Sequence, residues 1–458
     1  MSCEPIYGSI PPSDKNYQNL VVQKLLRART LSACTASINT LNGKNINILY
    51  DLIDQLEFAV NQPFPPVCAL TPYIVGLDCP FTTINSAIQQ AKAEGANASN
   101  GSLPLKIAVV LVTPGQYVED LVLEDGVIVS GIAEGRTRCT TVVGAHTANS
   151  GSNPLQSFIV DMNLQNPSGT CIQIQGSPFT FVGCGYTVIE GLVGVEIIST
   201  APNLGAFSTL ASELVGSTSS IISQGNSFLS FDRSTIDNDI IGPLPSGNLF
   251  INMYNSQLSD CTLNFTNETN GQLFAVTCNS NCSIFMTGNT GPNSNTVGFN
   301  NCNLLGTVTV SDAATAIFTN CNITFGNGGN PIITVDTTGS LILQNCTTLG
   351  GGVTTLGTSG TMIQNCQISG FIEVTDSSIL TLTNSYVDSS NVNFSPALII
   401  SDTSLVTSAN NSLFVDNVSS PAFHITRALS ATWNSANDVA LLLGVPIFDN
   451  PPTALQST

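Results

Sequence analysis

Along most of this chain apolar and polar residues alternate in short runs, and Gly, Asn, Asp or Pro closes each run. Lys106-Ile-Ala-Val-Val-Leu-Val-Thr113 ends at Pro114-Gly115. Gln116-Tyr-Val-Glu-Asp-Leu-Val-Leu123 ends at Glu124-Asp-Gly126, and Val127-Ile-Val-Ser-Gly-Ile132 comes next. Alternation with a period of two between turn residues predicts short strands with one buried face. Helical spacing is confined to the first hundred residues. Between Phe81 and Gly95, Ile84, Ala87, Ile88 and Ala91 fall on one helical face. Upstream, a first helix is predicted from about Asp14 to Thr30, with Ser13 or Asp14 as N-cap and Leu20, Val21, Leu25 and Leu26 as its stripe. A second runs from about Asn45 to Val60. Its apolar residues Ile46, Leu49, Ile53, Leu56 and Val60 are spaced 3, 4, 3 and 4, with Asp51, Asp54 and Glu57 off the seam. That seam fits a helix lying on its own domain or a short oligomeric bundle. Gln62-Pro-Phe-Pro-Pro-Val67 then breaks the helix and stiffens the connection. The expected division is a helical anchoring segment over 1–70, an all-β body over 71–425, and a C-terminal cap or tail over 426–458.

The body also repeats. Asn-Cys recurs at Asn281-Cys282, Asn301-Cys302, Asn320-Cys321, Asn345-Cys346 and Asn365-Cys366. Asp260-Cys261 precedes the series, and Asn384-Ser385 and Asn411-Ser412 continue it, at intervals of 21, 20, 19, 25, 20, 19 and 27. A period near 20 is what a solenoid with three short strands per coil requires. In such a stack each position lies about 4.8 Å above its equivalent in the coil below. Cysteine behaves there as a small buried hydrophobe, and asparagine at the bend tolerates left-handed backbone. The cysteines therefore read as an internal ladder and the asparagines as its corner. The expected fold is a parallel β-helix of about 15 coils, a rod on the order of 70 Å long.

The helix near 83–94, the strand leading into Val112-Thr-Pro-Gly-Gln-Tyr-Val-Glu119, and Val127-Ile-Val-Ser-Gly131 resemble the opening coils of the pectinesterase group in the pectin-lyase-like superfamily. The resemblance covers about 75 residues and implies a right-handed parallel β-helix with a helix over its N-terminal end. Pectinesterases carry Gln-Asp-Thr-like, Asp-Phe-X-Phe-Gly-like and Gly-Arg-X-Trp-like motifs, and polygalacturonases Gly-His-Gly and paired aspartates. None of these stands here in sequence order. Gly135-Arg136 leads into Thr137-Arg138, and Trp433 comes after Ala431-Thr432.

Composition narrows the function. Only 9% of the 458 residues are charged, 11 basic against 30 acidic, for a net charge of −19. Binding nucleic acid or anionic lipid needs clustered Lys and Arg, so neither is an expected partner. No apolar run is long enough for a transmembrane helix. The opening Met1-Ser-Cys-Glu-Pro-Ile-Tyr-Gly8 does not read as a secretory signal, so the 14 cysteines are expected as thiols. No cofactor or metal is expected. The one close cysteine pair is Cys278 and Cys282, and the two histidines, His146 and His424, lie far from it.

One acidic constellation remains, Phe231-Asp-Arg-Ser-Thr-Ile-Asp-Asn-Asp239. It offers Asp232, Asp237 and Asp239 as weak catalytic candidates beside Arg233. Two carboxylates could act as acid and base on a glycosidic bond, and on a continuous strand Asp237 and Asp239 would share a face. The simpler reading is a solvated turn with a local Asp–Arg pair. Glu119-Asp120 and Glu124-Asp125 read likewise as outward residues near turns.

The expectation is therefore a structural or attachment protein without enzymatic activity. A low-charge β-helix with N-terminal helices resembles virion spikes, fibres and tailspikes. That implies a homotrimer at a virion surface, with capsid or surface proteins and glycans as further partners. Some surface adhesins look similar, which leaves an extracellular or cell-surface location, reached by a non-classical route, as the alternative. The alternative is a polysaccharide-processing enzyme (glycoside hydrolase, lyase or esterase) on the same scaffold.

Overall fold

The computed structural model describes residues 73–98, 106–132, 138–149, 151, 153–176, 178–199, 203–241, 247–265, 270–287, 295–324, 331–389, 397–415, 425–427, 430–442 and 445–449. The two expected N-terminal helices and the Pro-rich connector lie outside these residues, as does His424. The chain divides into two compact units, Met1–Pro72 and Tyr73–Thr458, and all the described residues belong to the second.

Each coil supplies one strand to a sheet of 16, which begins with Tyr73–Val75 and ends with Thr432–Ala436. All its neighbours pair in parallel, and strands one coil apart are in register, as in Thr315↔Ser340↔Gly360↔Ile379↔Leu405. At the usual strand spacing these 16 strands extend about 70 Å along the axis. The other two sides of each coil form a second parallel ladder. Early coils run through both sides in one long bent strand, such as Val188–Ser199 paired with Glu213–Gln224. Later coils break there into two, as at Asn303–Leu305 and Val308–Ser311 around Gly306. The chain is thus a parallel β-helix. Parallel pairing continues through Val439–Leu442, where Val445–Asp449 turns back antiparallel and ends it.

Alternation explains the packing. In Thr315–Thr319 the inward residues are Ala316 and Phe318, both fully buried, and Phe318 stacks on Phe299 of the coil below with rings 5.4 Å apart. Inward Leu341 and Leu343 continue the two columns. The result is one core of stacked Leu, Ile, Val and Phe running along the axis.

The expected helix is present as α1 (Ile84–Ala93), and Ile84, Ala87, Ile88 and Ala91 are its buried residues. Thr83 caps it by accepting from the Ser86 N–H at 3.2 Å. α1 packs on the first strands of the stack, where a bare sheet end would otherwise expose core and strand edge. Glu119, read from sequence as an outward turn residue, instead accepts from the N–H groups of Ile84 and Asn85 at 2.8 and 3.0 Å. A carboxylate on a helix N-terminus satisfies two orphan donors and meets the positive end of the dipole. Its neighbours are structural too. Asp120 accepts from the Ala145 N–H, Asp125 from those of Ala98 and Gln156, and Glu124 pairs with Lys92 at 2.7 Å. Glu119→Ala is expected to lower stability by about 1–2 kcal/mol, read as an earlier unfolding midpoint in urea. An unchanged midpoint would mean that this contact does not hold the cap.

Candidate functional site

The asparagine corner is built from one backbone requirement. Where each strand of the 16-stranded sheet ends, the chain must turn sharply into the next side. From Asp161 to Asn437 the turning residue has positive φ in thirteen successive coils, close to 54° at Asn301, Asn320, Asn345 and Asn365. Asparagine adopts this left-handed conformation more readily than other side-chain-bearing residues, so it dominates the later coils.

The residue after the corner points inward and repeats a second requirement. Its N–H leaves the ladder and needs an acceptor. The side chain one coil on supplies it: Ser212 for Thr187 at 3.1 Å, Ser256 for Ser234 at 3.2 Å, Cys302 for Cys278 at 3.4 Å, Cys366 for Cys346 at 3.4 Å, and Ser385 for Cys366 at 3.1 Å. The thiols and hydroxyls in turn donate to backbone carbonyls, as Cys321 does to Phe299 and Thr319 at 3.4 and 3.3 Å. The cysteine ladder is therefore a hydrogen-bonded spine as well as a hydrophobic filler.

Three of the expected rungs are corrected. The rungs below Asn301-Cys302 are Thr277-Cys278 and Asn255-Ser256, not Asn281-Cys282 and Asp260-Cys261, and the upper one is Asn410-Asn411 rather than Asn411-Ser412. Cys261 and Cys282 pair with each other in the second ladder, inside long strands. The dipeptide alone could not reveal this, because Thr277, Arg233, Ala211 and Tyr186 hold the same corner in other coils. A second left-handed corner, at Asp312, Thr337, Gly357, Asp376 and Asp402, was also missed. Its sequence signal is the series of Asp-Thr-Thr-Gly, Asp-Ser-Ser and Asp-Thr-Ser turns.

Outside, the amides stack. Asn345 donates to Asn320 at 3.1 Å, Asn365 to Asn345 at 3.2 Å, Asn410 to Asn384 at 3.2 Å and Asn437 to Asn410 at 3.2 Å. Each amide has a second N–H and a second lone pair beyond this stack. Two residues along, a parallel column holds Asn322, Thr347, Gln367, Tyr386 and Ser412 in register. Between the columns runs a shallow, open groove of about 500 Å³ with Cys346, Cys366 and Ser385 beneath it. One wall is Asn345, Asn365, Asn384 and Asn410, and the other is Thr347, Gln367, Tyr386 and Ser412. It follows the helix axis, because its lining comes from equivalent positions of four coils. The phenol of half-buried Tyr386 is held above its ordinary value by burial and then by the charge of Asp388, so it is neutral at pH 7. The groove thus offers uncharged donors and acceptors around one aromatic ring.

The acidic candidates are arranged differently. Asp232 ends the strand Ser227–Asp232 and is half-buried, and burial raises its carboxyl although Arg233 and Asn255 pull it down. Arg233 Nε lies 4.0 Å from Asp232 Oδ1. Asp237 stands around the corner at the end of Thr235–Asp237. Asn238 then turns with φ 85°, so Asp239 is off that strand and the expected shared face with Asp237 does not form. Asp239 instead binds coils together: its carboxylate accepts from the Thr262 N–H at 2.7 Å and its carbonyl from the Ser220 N–H at 2.9 Å.

Buried Cys171, Cys184, Cys278, Cys302, Cys321, Cys346 and Cys366 are free thiols, and burial pushes Cys171 up to about 12. Hydrogen bonding to a neighbouring thiol, with burial second, also holds Cys278 and Cys366 above the usual thiol range. Among the described residues no group of three or more His, Cys, Asp or Glu is placed to hold a metal ion, and no helix is long and apolar enough to cross a membrane.

No protein-family model and no curated protein matches the chain. Among solved structures it is similar to the catalytic domain of a GH87 alpha-1,3-glucanase in complex with nigerose, at 10% identity over 81% of this chain and 70% of that one, with a TM-score of 0.33. It is also similar to tailspike protein gp49 of the Acinetobacter baumannii bacteriophage Fri1, a capsular polysaccharide depolymerase. There the identity is 12%, the TM-score 0.29, and the match covers 83% of this chain and 63% of the tailspike. For the pectin methylesterase from Aspergillus niger the identity is 12% over 84% of this chain and 89% of that one, with a TM-score of 0.15. The chain's own strand pairing makes it a parallel β-helix, the fold class of the pectin-lyase-like proteins.

Proposed function

We propose that this chain is a structural attachment protein of the virion spike or fibre kind, assembled from several copies, whose asparagine-walled groove takes neutral carbohydrate. The groove is the observation that carries this reading. Its walls present amides and hydroxyls at a repeat of about 4.8 Å, close to the length of one sugar residue in an extended chain. Amides and hydroxyls bond sugar hydroxyls in either sense, and an aromatic face takes the apolar side of a pyranose ring. The protein's net charge of −19 favours a neutral glycan over an acidic one. The continuous backbone ladder and buried spine give a rigid support for such a surface.

Tyr386→Ala is expected to weaken binding of neutral oligosaccharides at least tenfold, about 1.4 kcal/mol, by calorimetric titration, with the unfolding midpoint preserved. Equal affinity in the variant, or no glycan binding by the full chain, would overturn this reading. In the alternative enzyme reading Asp232, whose carboxyl burial raises, would be the proton donor. It predicts polysaccharide depolymerisation that Asp232→Asn abolishes.

A further inference from the structure

The outer face of the 16-stranded sheet contrasts with the asparagine corner. Its outward residues form three columns along the axis. The middle one runs through Phe158, Gly183, Ser208, Ser230, Asn252, Phe274 and Gly298 to Met362. Beside it, Phe181, Phe228 and Phe250 point the same way. From strand Leu155–Val160 to strand Ile379–Thr383 the three columns carry one charged residue, Asp232, at the corner edge. The other described acidic residues lie outside these three columns.

Two of its rings lie down on the sheet. A Cβ at Gly183 would stand 2.5 Å from the Phe158 ring, and one at Gly298 would stand 3.2 Å from the Phe274 ring. Each ring therefore lies down over a glycine of the next coil. Phe158 and Phe181 meet edge to face at 5.5 Å. Phe274 is 37% exposed, Met362 44% and Ile379 49%.

We propose that this sheet face is where copies of this chain pack side by side. The inference deepens the multi-copy reading above and rests on it. Apart from Asp232 at its edge the face carries no charge, so it is a surface on which two strongly negative chains can approach with few facing carboxylates. Its extent fits as well. Eleven strands at about 4.8 Å and three columns about 7 Å apart give roughly 700 Å² per copy. A stable association typically uses about 800 Å² per partner. Sheets also pack face to face at about 10 Å when their outward side chains are short or lie flat.

The test is the mass of the full-length chain by light scattering, beside Phe274→Lys, Met362→Lys and the control Leu349→Lys. Leu349 is equally exposed, at 44%, but belongs to the other ladder. The expected result is a multimer for the wild type and the control. Each face variant should fall to a monomer, or dissociate at least tenfold more readily, with its unfolding midpoint kept. Two variants a long way apart on the stack guard against one that misfolds. Folded face variants that keep the multimer mass would overturn the inference, and so would a monomeric wild type. Glycan titration on the same samples separates the two readings. A monomer that still binds neutral glycan removes the interface and leaves the groove, and a multimer that binds none does the reverse.

Discussion

Asp438→Ala is expected to destabilise the C-terminal coils by about 4 kcal/mol, more than any other substitution proposed for this chain. Asp438 is the last acceptor of the buried spine and is 1% exposed. One carboxylate oxygen takes the backbone N–H and the side-chain amide of Asn411 at 2.9 and 2.8 Å. The other takes Ser435 Oγ at 2.6 Å and Ser408 Oγ, and Ser408 in turn accepts from Trp433 Nε1 at 2.8 Å. Alanine would take the acceptor from four donors, three of them buried, and only the Asn411 side-chain amide keeps another partner, the Leu382 carbonyl. Each unsatisfied donor costs about 1–3 kcal/mol, partly recovered by relaxation and water. In a stack of nearest-neighbour coils the loss is local, so hydrogen exchange is the suitable probe. Amides of the 405–415 coil should lose protection while those of the 108–131 strands keep theirs. Asp438→Asn should retain most of the protection, because the serine hydroxyls can turn round and accept from the new amide. Full protection in Asp438→Ala would contradict the role of Asp438 as the end of the spine.

The second large effect is acid instability centred on His146. This side chain is fully buried and stacks in register with Ile172 and Val195, an apolar column. Its Nδ1 accepts from the Leu121 N–H at 3.2 Å, and Nε2 makes no well-formed hydrogen bond among the described residues. Burial pushes the imidazole down to about 4, against the opposing pull of Asp120 and of the Val142 carbonyl. The unfolded chain protonates near 6.5 and the folded one only near 4, so the unfolded state binds the extra proton between these values. The stabilisation is complete above about pH 6.5 and is lost as pH falls towards 4, by about 3 kcal/mol in total. Unfolding free energies at neutral and acid pH should therefore diverge less in His146→Leu than in the wild type. The variant gives up the acceptor for Leu121, so it starts lower at neutral pH and falls less steeply. Equal acid sensitivity in both proteins would place the titrating group elsewhere.

The sequence carried the fold far better than the site. α1 was legible down to its four buried residues, since a helical face in a β-rich chain stands out. The coil period was legible because asparagine is selected at left-handed corners and cysteine or serine behind it. The same logic hid individual rungs. The backbone asks only for positive φ, and Thr277, Arg233 and Tyr186 meet that need with no recurring letter. Asn281-Cys282 then imitated a rung from inside a strand.

The acidic residues misled in a related way. Glu119 and Asp239 look like solvent-facing charge, yet each meets backbone donors about 23 to 35 residues away, a pairing that only the coil stacking creates. Tyr386 could not be singled out either. It is one tyrosine of 8, and only the register beside Gln367 and Ser412 puts it in a groove wall. The low-charge sheet face was equally hidden, because its phenylalanines are separated by more than 20 residues and align only once the coils are stacked.

The most direct test of the central claim is the affinity of the full-length protein for neutral oligosaccharides of increasing length. A groove that follows the axis across four coils predicts affinity that rises with each added sugar and levels off at about four residues. Affinity independent of length, or no measurable binding at any length, would contradict a carbohydrate groove on the asparagine corner.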